Sequence, residues 1–171
     1  MRHLLTRRAA LLSLSAASAA ALDGCNTTQT GGVAAPGTIS GYHIANIVVD
    51  TSPLAAQSGN PTAQWAQQAL PGALAQAFAS HMAPGDPSGQ TLSVTINSIY
   101  LGGGGPADPD IMTGVATLSG GAGPSRTTRL RTPTTYISNP VDQTLVEQAL
   151  QGRVQALSQA FAYSLARRLR H

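Results

Sequence analysis

Seven apolar residues recur at steps of three and four near the C-terminus: Val146, Leu150, Val154, Leu157, Phe161, Leu165 and Leu169. That spacing puts them on one stripe of a long α-helix. Asn139 is the expected N-cap, with Pro140 at the first helical position and Asp142 in the first turn, near the positive end of the dipole. Arg167, Arg168 and Arg170 crowd the carboxyl end, where the dipole favours cations. A stripe of this kind has to pack on another apolar layer, and the rest of the chain supplies one.

A first strand is expected over 42–51, where Ile44, Val48 and Val49 are β-formers. Asn60-Pro61 then opens a helix running to about Met82, with Trp65, Ala69, Leu74, Phe78 and Met82 close to helical spacing. Pro71-Gly72 is expected to kink or split it. The clearest strand is 90–101: Leu92, Val94, Ile96 and Ser98 share one face, and Thr91, Ser93, Thr95 and Asn97 the other. A third strand covers 111–119. A fourth covers 126–137 and is expected to break at Pro133, which suits an edge. The order is β-α-β-β-β-α, a single α+β domain with a mainly antiparallel sheet and two helices on one face.

Composition narrows the chemistry. Apolar residues make up 42% of the 171, enough for a core, while charged residues reach only 10%. All ten basic residues are Arg. Without lysine there is no amine for a Schiff base and no phosphate-loop lysine.

Residues 1–8 form a positive segment and 9–22 an uncharged apolar one. Fourteen residues at ~1.5 Å rise span about 21 Å, short of a ~30 Å hydrocarbon core, which fits a signal peptide rather than a membrane span. Without residues 1–24 the chain carries seven Arg against six acids, a net of +1. The alkaline pI of ≈ 9.6 is therefore partly an export signal. Thr6-Arg7-Arg8 also weakly resembles a twin-arginine export motif, and reads better as a generic basic segment.

The apolar segment ends at Leu22-Asp23-Gly24-Cys25, which holds the only cysteine. It resembles the lipobox of bacterial lipoproteins, with Leu22 aliphatic at −3 and Gly24 small at −1. Asp23 departs from the pattern, where a small uncharged residue is usual. The resemblance implies cleavage before Cys25, a thioether-linked diacylglycerol on its sulfur and acylation of the new amino terminus. Asn26 in the next position implies the inner leaflet of the outer membrane, facing the periplasm. The alternative is ordinary cleavage after Ala17-Ser18-Ala19, which leaves a soluble periplasmic protein with a free thiol. Residues 26–40 are small, polar and punctuated by Gly and Pro, so 25–41 reads as a flexible tether with a reach of roughly 20 Å. The globular domain is then 42–171.

The element order over 42–170 also resembles that of small α+β lipoproteins that assist lipopolysaccharide assembly or accompany envelope ABC transporters. The likeness rests on no diagnostic motif, and no functional residue is carried over from it.

Individual motifs are poor in chemistry. Gly102-Gly103-Gly104-Gly105-Pro106 is followed by neither Lys-Ser nor a helix, so it reads as a floppy hairpin connection, not a phosphate loop. Leu118-Ser119-Gly120-Gly121 echoes an ABC-protein signature by coincidence. Asp108-Pro109-Asp110 puts two carboxylates in one loop, too few for calcium, and reads as a solvated turn. His43, His81 and His171 share no metal-ligand spacing, and His81 is expected to close the first helix. No Gly-x-Ser-x-Gly elbow exists, so neither catalytic residues nor a metal or cofactor are expected. Arg126, Arg129 and Arg131 are the candidate anion-binding residues, and 129 and 131 point the same way on a regular strand. The plainer reading is a charged, aggregation-resistant edge. Stacking aromatics are too few for nucleic acid.

These features lead to a non-enzymatic envelope lipoprotein. It is expected to be anchored by lipid and to act as an accessory or assembly subunit beside an envelope protein partner. One alternative is a module binding an anionic envelope glycan or lipid through Arg129 and Arg131. The other is a periplasmic hydrolase whose site lies in residues distant in sequence.

Overall fold

The computed structural model describes residues 42–58, 60–121, 123–136 and 145–170. The expected tether and signal segment, Cys25 with them, and the expected cap at Asn139, Pro140 and Asp142 lie outside these residues.

Strand β1 (Ile44–Asp50) leads into α1 (Ser52–Ser58) and α2 (Asn60–Ala77), and a 3-10 turn (Ala79–His81) follows. Then come β2 (Gln90–Tyr100), β3 (Asp110–Ser119), β4 (Arg126–Thr134) and α3 (Val146–Leu169). The sheet order is β1-β2-β3-β4. β1 runs parallel to β2, as its helical crossover requires, and the other two pairings are antiparallel. The α+β class and the mainly antiparallel sheet are as the sequence implies.

Helix α1 is an addition to the expected pair. Asp50 Oδ1 accepts the Ser52 N–H at 2.9 Å, and Ala55 N–H reaches Thr51 O at 3.0 Å. Asp50-Thr51-Ser52-Pro53 is thus a helix start that an over-long strand assignment absorbed. The buried Thr51 donates its hydroxyl to Gln67 Oε1 at 3.1 Å, tying this junction to α2.

Other expectations are altered for local reasons. Pro71 neither splits nor ends α2. The carbonyl it deprives of a partner is that of Gln67, an exposed residue, so water can replace the lost bond. α2 nevertheless stops at Ala77 rather than Met82. His81 does not cap it: its ring stacks on Tyr42 with centroids 4.7 Å apart. Ser98 does not share the buried face with Leu92, Val94 and Ile96. The register slips between Ile96 and Ser98, leaving Asn97 as an extra, exposed residue and putting Ile99 inward.

One core joins the helices to a single face of the sheet. Leu54, Leu70, Leu74 and Phe78 come from the α1–α2 side, and Val154, Leu157, Phe161 and Leu165 from α3. Ile44, Leu92, Ile96, Met112 and Leu118 face them from the strands. Gly114 lets α3 approach: an added Cβ would stand 2.7 Å from Thr95 O and 3.1 Å from Phe161 Cζ. The other sheet face carries Thr91, Ser93, Thr95, Thr113, Val115 and Thr117, all half-buried, with exposed Arg129 and Arg131. Hydroxyl pairs stitch it across strands, Ser98–Thr113 at 2.6 Å and Thr117–Thr127 at 3.2 Å.

Candidate functional site

β4 is an edge strand, and its alternation decides where its arginines go. Leu130 and Thr132 are buried toward the helices, whereas Arg129 and Arg131 are exposed on the opposite face. Arg126 has the parity of Leu130, so it lies on the helix side. The three candidate anion-binding residues are therefore not one patch: Arg129 and Arg131 stand together and Arg126 does not. Pro133, opposite Ile111, is accommodated inside β4 and does not break it, because an edge position leaves its missing donor harmless.

The structure adds a residue to the pair. Arg168, from the last turn of α3, lines an open groove with Arg129, Arg131, Asn97 and Thr113. Among the described residues that line it, none is acidic. Sequence reading assigned Arg168 only to the helix dipole; the signal that could have placed it here is the packing of α3 against β4.

At the other end of the sheet the loop between β2 and β3 departs from expectation. Asp110 is fully buried and pairs with Arg153 of α3, whose Nε donates to Oδ2 at 2.9 Å and whose Nη2 donates to Oδ1. The same Nη2 donates to Gly102 O. This fork-on-fork geometry satisfies the charge that burial would otherwise penalise. It also raises the Arg153 pKa, chiefly through the hydrogen bond to Asp110. Asp108 holds the glycine run from within: Gly103 N–H donates to its Oδ2 at 2.6 Å, and Tyr100 Oη to its Oδ1 at 3.1 Å. Gly104 takes φ +77°, and a side chain there would press on Tyr136 O. The glycine run is thus an organised loop rather than a floppy one, and Asp110 is a structural anion rather than a solvated one. Arg153 was the residue missed; its position one residue before the buried Val154, on the rim of the apolar stripe, was the available signal.

Ser80 Oγ lies 3.0 Å from His81 Nδ1, but no carboxylate among the described residues hydrogen-bonds that ring, whose face is covered by Tyr42. Among the described residues no three His, Cys, Asp or Glu side chains converge as a metal site would need, and no helix is long and apolar enough to cross a membrane.

No family model and no curated protein matches the sequence. Among solved structures, a Xanthomonas campestris protein of the DUF330 family aligns at 11% identity and TM-score 0.36, over 76% of this chain and 89% of that one. A minor lipoprotein from Acinetobacter baumannii aligns at 8% identity and TM-score 0.27, over 73% of this chain and 94% of that one. What this chain has in common with them at such scores stops short of shared ancestry or shared role, and its function rests on its own residues.

Proposed function

We propose that the chain is a non-enzymatic envelope lipoprotein, held by lipid on Cys25 at the periplasmic face of the outer membrane and acting as an accessory subunit of an envelope assembly. One observation carries the reading: a basic segment, an apolar run too short to span, and Leu22-Asp23-Gly24-Cys25 ending it, with the only sulfhydryl at the position the lipobox requires. Each buried CH2 contributes ~0.8 kcal/mol, so two or more acyl chains hold firmly where one holds marginally. The accessory role is supported by what the domain offers. The grooves lined by described residues are open and hold no convergent acid–base set among those residues, while a long hydroxyl-rich sheet face is turned away from the helices and β4 is an edge strand.

The test is fractionation of host cells expressing the chain or its Cys25→Ser variant, with labelled palmitate supplied. The reading expects label and outer-membrane recovery for the parent, and neither for Cys25→Ser. Equal membrane recovery of both proteins, or no label in the parent, contradicts it. Crosslinking in intact cells should then join the domain to an envelope protein; recovery of uncrosslinked monomer alone counts against the accessory role.

A further inference from the structure

Six of the seven arginines that follow Cys25 lie on two elements packed against one another: Arg126, Arg129 and Arg131 on β4, and Arg167, Arg168 and Arg170 at the end of α3. Neither stretch carries an acid. The exception, Arg153, is the one already paired with Asp110.

Register separates the six: Arg129 and Arg131 lie further along β4, opposite Val115 and Thr113 and on the other sheet face, whereas Arg126 and the end of α3 share one end and form a basic rim there. Ile44 pairs with Gln90, Thr91 with Ser119, and Leu118 with Arg126. The entry to β1 and the start of β4 are thus at the same end of the sheet. α3 runs along β3 in the same direction, since Arg153 meets Asp110 and Phe161 lies against Gly114. Helix rise and strand rise give similar steps, about 12 and about 13 Å, between those contacts. Continuing by a further ~9–13 Å brings residues 167–170 level with the last residues of β3, opposite Arg126. The chain enters the domain at that end, at Tyr42, whose phenol feels the charges of Arg170 and Arg126.

The rim has an aromatic member as well. Tyr163, 53% exposed, shares an open groove with Arg167 and Arg170. A tyrosine beside cations suits the headgroup layer of a bilayer, where its ring and its hydroxyl each find their preferred medium. Among the described residues, Asp86 in the turn before β2 is the acid that shares this end; its Oδ1 accepts from the N–H and hydroxyl of Ser88, which hold it ionised.

We propose that the rim formed by Arg126 at the start of β4 and by Arg167, Arg168 and Arg170 at the end of α3 rests on anionic phospholipid headgroups of the membrane that the Cys25 anchor enters. The proposal rests on the anchored reading above. Only residues 26–41 lie in sequence between Cys25 and Tyr42, so the chain leads to the anchor from this end of the domain and not from the Asp110 end. A basic surface beside a lipid anchor is a second, additive attachment. It would fix which face of the domain turns outward to a partner.

The test uses the chain from residue 25 onward with Cys25→Ser, which keeps the whole core, because every core residue lies between Ile44 and Leu169. It should sediment with vesicles of phosphatidylglycerol and phosphatidylcholine, and not with phosphatidylcholine alone, and added salt should release it. Arg167→Gln/Arg168→Gln/Arg170→Gln should weaken binding by about tenfold or more. The corresponding triple Lys variant should retain it, and matching circular dichroism spectra establish that all three proteins are folded. Equal binding to neutral vesicles, no binding to anionic ones, or an unchanged affinity in the Gln variant overturns the proposal. The probe protein has no lipid, so any of these results is independent of acylation in the host. A free Cys25 thiol there would remove the anchor without altering the vesicle result.

Discussion

Arginine is used in two ways at the two ends of this domain. At the Asp110 end, Arg153 is mostly withdrawn from water, its side chain 16% exposed, and its fork is filled by a carboxylate that is 1% exposed and by a backbone carbonyl. At the Tyr42 end and along β4, the arginines are exposed or, for Arg126, half-buried, and make no ion pair among the described residues. The first arrangement is tied to folding: a charge taken out of water needs its partner, or the structure opens. The second contributes little to stability and leaves its charge available. The difference teaches that the charge count of the domain, near neutral overall, hides an asymmetry between its ends. One end neutralises itself internally and the other does not.

The contrast can be broken experimentally, and the largest effect should come from the buried pair. Arg153→Ala leaves Asp110 uncompensated in the interior, and unfolding by urea should show a loss of about 3–5 kcal/mol. A loss below 1 kcal/mol would put that pair in the same class as the surface arginines. Next, Gly114→Ala should cost about 1–3 kcal/mol, because its Cβ would meet Thr95 O and the ring of Phe161. Thr132 goes the other way. Its hydroxyl is buried without a partner, so Thr132→Val should stabilise by up to about 1 kcal/mol in the same assay. Arg129→Gln/Arg131→Gln should stay within about 0.5 kcal/mol of the parent; a larger loss would mean that these side chains hold the fold.

The pH dependence should be gentlest of all. Hydrogen bonds from Ser52 and Ser88 depress the Asp50 and Asp86 carboxyls below the ordinary 3.8. The stability these add is therefore present above that value and drains as the pH falls through the lowered folded pKa. Burial raises the Tyr42 phenol above 10.0, and the bond to Asp108 raises Tyr100. In that region the unfolded chain ionises first, so stability should hold through neutral pH and decline as the pH climbs past 10.0. Thermal melts across both limits check the two signs.

Much of the fold was legible because it is written in periodicity. The α3 stripe and the alternation of β2 and β3 are repeated many times, and one irregular residue does not erase them. What was not legible depends on single residues and on tertiary contact. The Asn97 bulge reverses the parity of Ser98 and Ile99 without altering composition. The start of α1 lies in four residues that read equally well as the end of a strand. Pro71 stays inside α2, on a side that faces water. For the candidate site, the pairing of Arg129 with Arg131 followed from strand parity, as did the separation of Arg126 once parity is applied to it. The recruitment of Arg168, and the burial of Asp110 against Arg153, join residues 37 or more positions apart. No local pattern encodes them.

The most direct test of the whole account is intact-mass and peptide analysis of the protein taken from the membranes of its native host. The account predicts an amino terminus at Cys25, carrying a diacylglyceryl thioether on sulfur and an acyl group on nitrogen. A chain recovered from the soluble fraction with an unmodified Cys25 thiol would contradict it.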